Sequence, residues 1–239
     1  MNTQKLLIPL ICLSLLIATQ LGAAEAKYLT PATMPDGIAL LPPPPEPGSA
    51  EDREDTEMAF RVYSTRTPEQ YALGKEETRL TVFGFARMVG PWFRPDKCPK
   101  TEALFKQVEA DARVATSGVK AHFKRLRPCN ADPERFSNPI EPAKTNNNGT
   151  SFYSYPSGTT TRATVYAFLL AELFPAKREA LLAKARESGW LRVQGGVHYP
   201  LDVFAGRVWG QALARALLAS PEFRHDLAEI KAELAAAPQ

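Results

Sequence analysis

Residues 163–174 read Ala-Thr-Val-Tyr-Ala-Phe-Leu-Leu-Ala-Glu-Leu-Phe. Wound as a helix, this stretch is apolar on most sides and has no face to give to water, so other elements must surround it. Ser157-Gly-Thr-Thr-Thr-Arg162 leads into it with the hydroxyl-bearing residues that favour a helix start. The rest of the chain supplies helices to do the surrounding. The pattern predicts helices over 51–63, 67–75 and 77–89. A long helix follows Pro99, with Leu104, Phe105, Val108, Ala112, Ala115 and Val119 on one face, and it must stop before Pro128. Further helices are expected over 176–187, from just after His198 to about Ser220, and from Pro221 to about Ala236. No segment alternates with period two over a strand's length. The expected fold is all-α: a single-domain, multi-helix bundle around a buried central helix that starts at Ser157.

The 239 residues suffice for one packed domain, and a net charge of +3 excludes a general nucleic-acid binder. Residues 1–26 read as a signal peptide: Lys5, an apolar run over 6–21, then Gly22, Ala23, Ala24 and Ala26 as small residues near a cleavage site. A periplasmic or secreted location follows. The run is short and holds Pro9, so no stable membrane insertion is expected after its removal. Cys12 leaves with the leader. Cys98 and Cys129 remain, and in an oxidising compartment two remaining thiols are expected to form a disulfide. Residues 27–50 form a proline-rich arm, extended around Pro42 to Pro45, that either lies across the domain or dangles. The helical domain is 51–239. Within it, 129–156 reads as a long loop, the kind that often carries function. Asn148-Gly-Thr150 matches a glycosylation sequon that matters only in a eukaryotic secretory route.

Chemistry gathers in Arg192-Val-Gln-Gly-Gly-Val-His198-Tyr-Pro-Leu-Asp202. Pro200 suits the first turn of a helix, and i,i+4 spacing puts His198 and Asp202 on one face. The carboxylate can hold one ring nitrogen as N–H, leaving the other lone pair outward as a nucleophile or base needs. The bland alternative is a histidine beside an ordinary capping aspartate. Lys120 and Arg127 are seven apart, two turns on one side of a helix end, or else a solvated terminus. Ser157 and Gly158 offer helix-start amides to an anion, although Ser157 can equally serve as a plain cap. With Arg192, these groups describe a cradle for a tetrahedral oxyanion. His122, His198 and His225 are too far apart for metal-site spacing.

In order, these blocks read Lys120-x6-Arg127-Pro128, Pro156-Ser157-Gly158-Thr159 and Leu191-Arg192-x5-His198-x3-Asp202. They resemble the type 2 phosphatidic acid phosphatase superfamily, and within it the bacterial class A non-specific acid phosphatases, whose patterns are K-x6-R-P, P-S-G-H and S-R-x5-H-x3-D. The resemblance covers roughly residues 60–235 and implies an all-helical phosphatase that needs no metal or cofactor. It makes His198 the nucleophile that forms a phosphohistidine and Asp202 its orienter. Lys120, Arg127, Ser157, Gly158 and Arg192, with Thr159 beside them, hold the phosphate. Expected partners are small phosphorylated substrates, inorganic phosphate or vanadate, and an oligomer is compatible with this. Two positions depart from the pattern. Leu191 replaces Ser, and Thr159 replaces the histidine that protonates the leaving oxygen, a function worth roughly 10²–10⁴-fold. Substrates with good leaving groups (aryl phosphates or phosphoanhydrides), a substitute acid or a water, or slow turnover would each accommodate the loss. Candidate substitutes are His122, about 200° round the helix from Lys120, and Tyr155, Tyr199, Asp132 and Glu134. The competing readings are a phosphate-binding relative without catalysis and a vanadium-dependent haloperoxidase.

Overall fold

The computed structural model describes residues 26–142 and 152–237, so most of the leader and the Asn148 sequon lie outside the described residues. Among the described residues there are ten α-helices and no strand: α1 Gly37–Leu40, α2 Ala50–Ser64, α3 Pro68–Glu76, α4 Ala86–Val89, α5 Pro99–Phe123, α6 Pro128–Ala131, α7 Gly158–Leu173, α8 Arg178–Gln194, α9 Pro200–Ala219 and α10 Pro221–Ala236. None of them is long and apolar enough to cross a membrane. Several helix starts carry side-chain caps, Ser157 among them as the sequence suggests. Ser49, Ser157 and Ser220 accept a backbone N–H of the first turn, and Thr67 with Gln70 forms a reciprocal capping box.

α7 is the central helix. Ala163, Val165, Ala167, Leu169 and Leu170 are wholly buried, and α8, α9 and α5 pack around it. Close approach sets its position. A Cβ on Gly206 of α9 would lie 2.7 Å from the Ser157 carbonyl oxygen, so only a bare Cα lets α9 touch the start of α7. Gly189 does the same for α8, where a Cβ would meet Val203 and Thr160 at 2.9 and 3.0 Å. α8 runs through residue 187, where the sequence suggested an end, and carries Arg192 in its last turn.

Residues 77–89 differ from the single helix expected. They form two 3₁₀ turns, Glu77–Arg79 and Val82–Phe85, and then α4. Thr81, Val82 and Gly84 are weak helix formers, and the tighter turns bury Leu80, Val82, Phe85 and Val89 together. The arm over 27–50 lies across the domain. Asp111 of α5 is wholly buried, and one of its oxygens accepts the backbone N–H groups of Lys27, Tyr28 and Leu29 at 2.7, 3.0 and 3.1 Å. The carboxylate thereby satisfies three arm amides at once and fastens the arm to α5.

The expected disulfide is not formed. Cys98 and Cys129 are both buried and not bonded to each other. Cys98 caps the start of α5, Cys129 follows its far end, and the 25-residue helix between them spans about 37 Å. The two thiols belong to different apolar clusters.

The contact between α7 and α9 leads to a prediction. Gly206→Ala should destabilise the protein by about 1–3 kcal/mol through overpacking against the Ser157 carbonyl. Chemical denaturation measures this, and unchanged stability would contradict the assigned role.

Candidate active site

α5 delivers the first cation. Lys120, in its last turn, is buried, and its Nζ donates to the carbonyls of Tyr153 and Ser154 at 2.6 and 3.0 Å. The helix ends at Phe123, and Lys124 takes a left-handed conformation (φ 53°). Arg127 therefore does not lie two turns along the same helix, as its spacing from Lys120 suggested. It stands on an extended segment bridged to Tyr153 through Leu126. Extended chain alternates its side chains, so Arg125 and Arg127 turn inward while Leu126 stays exposed.

The inward pair have separate tasks. Arg127 donates to the Val197 carbonyl at 3.0 Å and stands 3.3 Å from His198 Nε2. A guanidinium can only donate, so Nε2 presents its lone pair and the ring proton sits on Nδ1, which faces Asp202 Oδ2 at 3.3 Å. Burial and the adjacent Arg127 charge pull the His198 pKa from 6.5 down to about 3, against the opposing pull of Asp202. The surroundings thus favour the neutral imidazole. The sequence reading passed over Arg125. Its guanidinium meets Asp55 and Asp202 at 2.9 and 3.0 Å and Asp52 at 3.2 Å, and it lies 3.9 Å over the Tyr199 ring. The only sequence signal for it was the alternation Arg125-Leu126-Arg127. Asp52 and Asp55 looked like nothing more than an acidic helix start.

Arg192 comes from the last turn of α8 and is buried. One arm pairs with Glu141, while its Nε and second terminal nitrogen have no hydrogen-bond partner among the described residues. Glu141 was also missed, because it sits in the irregular stretch after α6. Ile140 beside it is pinned by its N–H to the Gly195 carbonyl at 2.9 Å. Burial pushes the Glu141 carboxyl up, but Arg192 and Arg127 outweigh this and hold its pKa at about 2.

Lys120, Arg127, Arg192, Glu141, Gly158, Thr159 and His198 all line one cavity of about 410 Å³. Farther out, its wall is made by Arg113, Thr116, Ser117 and Arg162. Asp202 stands behind His198 and does not reach the cavity. Ser157 does not line it either, since its Oγ accepts from Thr160 Oγ1 at 2.9 Å and serves the cap. His122 is exposed beside Phe123 near the arm's prolines, and His225 is exposed on α10. Tyr155 donates to the Pro42 carbonyl and Tyr199 lies under Arg125. None of the residues considered as substitute acids lines the cavity, where Glu141 is the one carboxylate among the described residues.

The bundle thus gathers a carboxylate-backed imidazole and buried guanidinium groups round one cavity, an arrangement suited to an oxyanion. Residues 110–226 match the PAP2 superfamily. A non-specific acid phosphatase of Salmonella typhimurium is 28% identical over 228 residues, 93% of this chain and 90% of its own length. One from Providencia stuartii is 28% identical over 247 residues, 97% and 98% of the two chains. An acid phosphatase of Zymomonas mobilis is 26% identical over 203 residues, 83% and 75% of the two chains. The superfamily match takes in just under half of the chain, and the similarity to the acid phosphatases extends along most of it.

The buried imidazole also acts on stability. The unfolded chain takes up the His198 proton near pH 6.5 and the folded chain only near pH 3. A depressed folded pKa gives stability that is present above 6.5 and lost as pH falls toward 3. Across that interval the unfolding free energy of wild type relative to His198→Gln should decline by about 1.4 kcal/mol per pH unit. Urea titrations across the interval test this, and parallel curves would count against a neutral buried imidazole.

Proposed function

We propose that the protein is a secreted or periplasmic phosphatase that hydrolyses phosphomonoesters and phosphoanhydrides through a phosphohistidine on His198, without a metal ion. The observation that carries the reading is Arg192. A buried guanidinium with two nitrogens unmet among the described residues, in one cavity with the His198 lone pair, calls for an anion with several acceptor oxygens. The acid phosphatases to which the chain is similar along most of its length support the same chemistry. The leader-like residues 1–26 support the location.

The phosphoryl group enters with its nonbridging oxygens toward Arg192, Arg127, Lys120 and the amides at Gly158 and Thr159. Glu141 balances Arg192 until then. His198 Nε2 attacks phosphorus, and the bond to the leaving oxygen breaks with its electron pair going to that oxygen. Asp202 keeps Nδ1 protonated and stabilises the charge that develops on the ring. The fixed cations and helix-start amides stabilise the charge spread over the phosphoryl oxygens. Water then attacks the phosphohistidine and releases phosphate and free His198. Thr159 stands where relatives place a proton donor, and its hydroxyl cannot act as an acid near neutral pH. Alkoxide leaving groups therefore bear the cost.

Two experiments follow. Rapid acid-quench with a ³²P-labelled aryl phosphate should trap phosphorylated histidine in wild type and none in His198→Ala. A protein that binds phosphate but yields no adduct would be a relative that has lost catalysis, and the proposal would fall. Thr159→His should raise kcat for an alkyl phosphate by roughly 10²-fold while changing an aryl phosphate far less. Equal changes for both esters would refute the account of the missing acid.

A further inference from the structure

The cavity continues beyond the phosphoryl cradle, and its outer wall is cationic. Gly158, Thr159 and Arg162 fall on one face of α7, with Arg162 about one turn beyond Thr159. Across from them, Lys120, Ser117, Thr116 and Arg113 step along one face of α5. Arg162 is largely buried and lines the cavity. One of its nitrogens is held by Glu109 at 2.9 Å, and its Nε is buried with no partner among the described residues. Arg113 is anchored by the same Glu109 oxygen at 2.8 Å and lies mostly exposed at the mouth. Glu109 itself does not line the cavity. It fixes both forks and leaves the pair with one net positive charge.

We infer that Arg162, with Arg113, forms a second anion subsite for a phosphate carried on the leaving group, making phosphoanhydrides such as pyrophosphate the substrate class this cavity fits best. The inference rests on the phosphatase reading above and names its substrate. Thr159 and Arg162 are complementary. Where a proton donor would neutralise a departing alkoxide, this wall offers fixed positive charge to a group that leaves as an anion and needs no proton. His198 Nε2 attacks one phosphorus of pyrophosphate, and the bridging P–O bond breaks with its electron pair passing to the second phosphate. That phosphate departs against Arg162. Water hydrolyses the phosphohistidine, so one pyrophosphate and one water give two phosphates and His198 is regenerated.

The test compares kcat/KM for pyrophosphate and for p-nitrophenyl phosphate, whose leaving group carries no phosphate, in wild type, Arg162→Gln and Arg162→Lys. The ratio of pyrophosphate to aryl ester should fall roughly 10–100-fold in Arg162→Gln and recover in part in Arg162→Lys. An unchanged ratio, or equal loss on both substrates, would overturn the subsite and leave Arg162 a structural partner of Glu109. Wild-type turnover of the aryl ester without pyrophosphate would overturn the subsite and leave the phosphatase reading standing. Calorimetric titration of His198→Ala separates binding from turnover. Pyrophosphate should bind at least tenfold tighter than orthophosphate, and adding Arg162→Gln should erase the difference. Equal affinities would sink the subsite whether or not the wild type is catalytic.

Discussion

Asp202 is completely buried, and each of its acceptors ties down a different part of the protein. One carboxylate oxygen faces His198 Nδ1 and accepts the Tyr199 N–H at 2.9 Å. The other meets Arg125 at 3.0 Å, and the residue's carbonyl accepts the Ser157 N–H at 2.9 Å. Through one residue the imidazole, the start of α9, the cap of α7 and the segment after α5 hold common positions. An isolated carboxylate could not stay ionised there. Arg125 and the hydrogen-bond donors outweigh the burial cost and keep Asp202 below its ordinary pKa.

Arg125 serves too many acids to satisfy them all equally. Burial and the neighbouring Asp202 push Asp55 up to about 6 despite Arg125. Asp55 also accepts the Leu201 N–H at 3.2 Å, which fastens α2 to the first turn of α9. This cluster is a support rather than part of the cavity lining, and it spends its charge internally. The cavity side is built the opposite way. Lys120 rests on carbonyls, Arg127 on a carbonyl and the imidazole, and Arg192 keeps two nitrogens unmet. The supporting cluster turns its charges on one another, whereas the cavity side holds a guanidinium with donors to spare among the described residues.

The bundle could be read from sequence because a helix apolar on most sides admits few solutions, and the long α5 and the last three helices followed from periodicity. The site was readable where residue type and short-range spacing set its geometry: His198 and Asp202 at i,i+4, and Gly158 at a helix start. Spacing misled where the backbone changed state. Lys120 and Arg127 do meet, but across a left-handed turn and an extended segment. Ser157 kept its hydroxyl for the cap, and the two cysteines were held apart by the length of α5.

The chain's own pattern thus determined the helices, their order and the residue types that gather round the cavity, because periodicity and local spacing act within a few turns. Only tertiary structure decided which charges remain available. Glu141 reaches Arg192 across 51 positions, and Asp55 of α2 reaches Arg125 on the extended segment after α5. Arg162 of α7 lines the same cavity and is held there by Glu109 of α5, 53 positions away. Long-range electrostatics and close packing depend on where folded elements meet, and no local signal in the sequence records that.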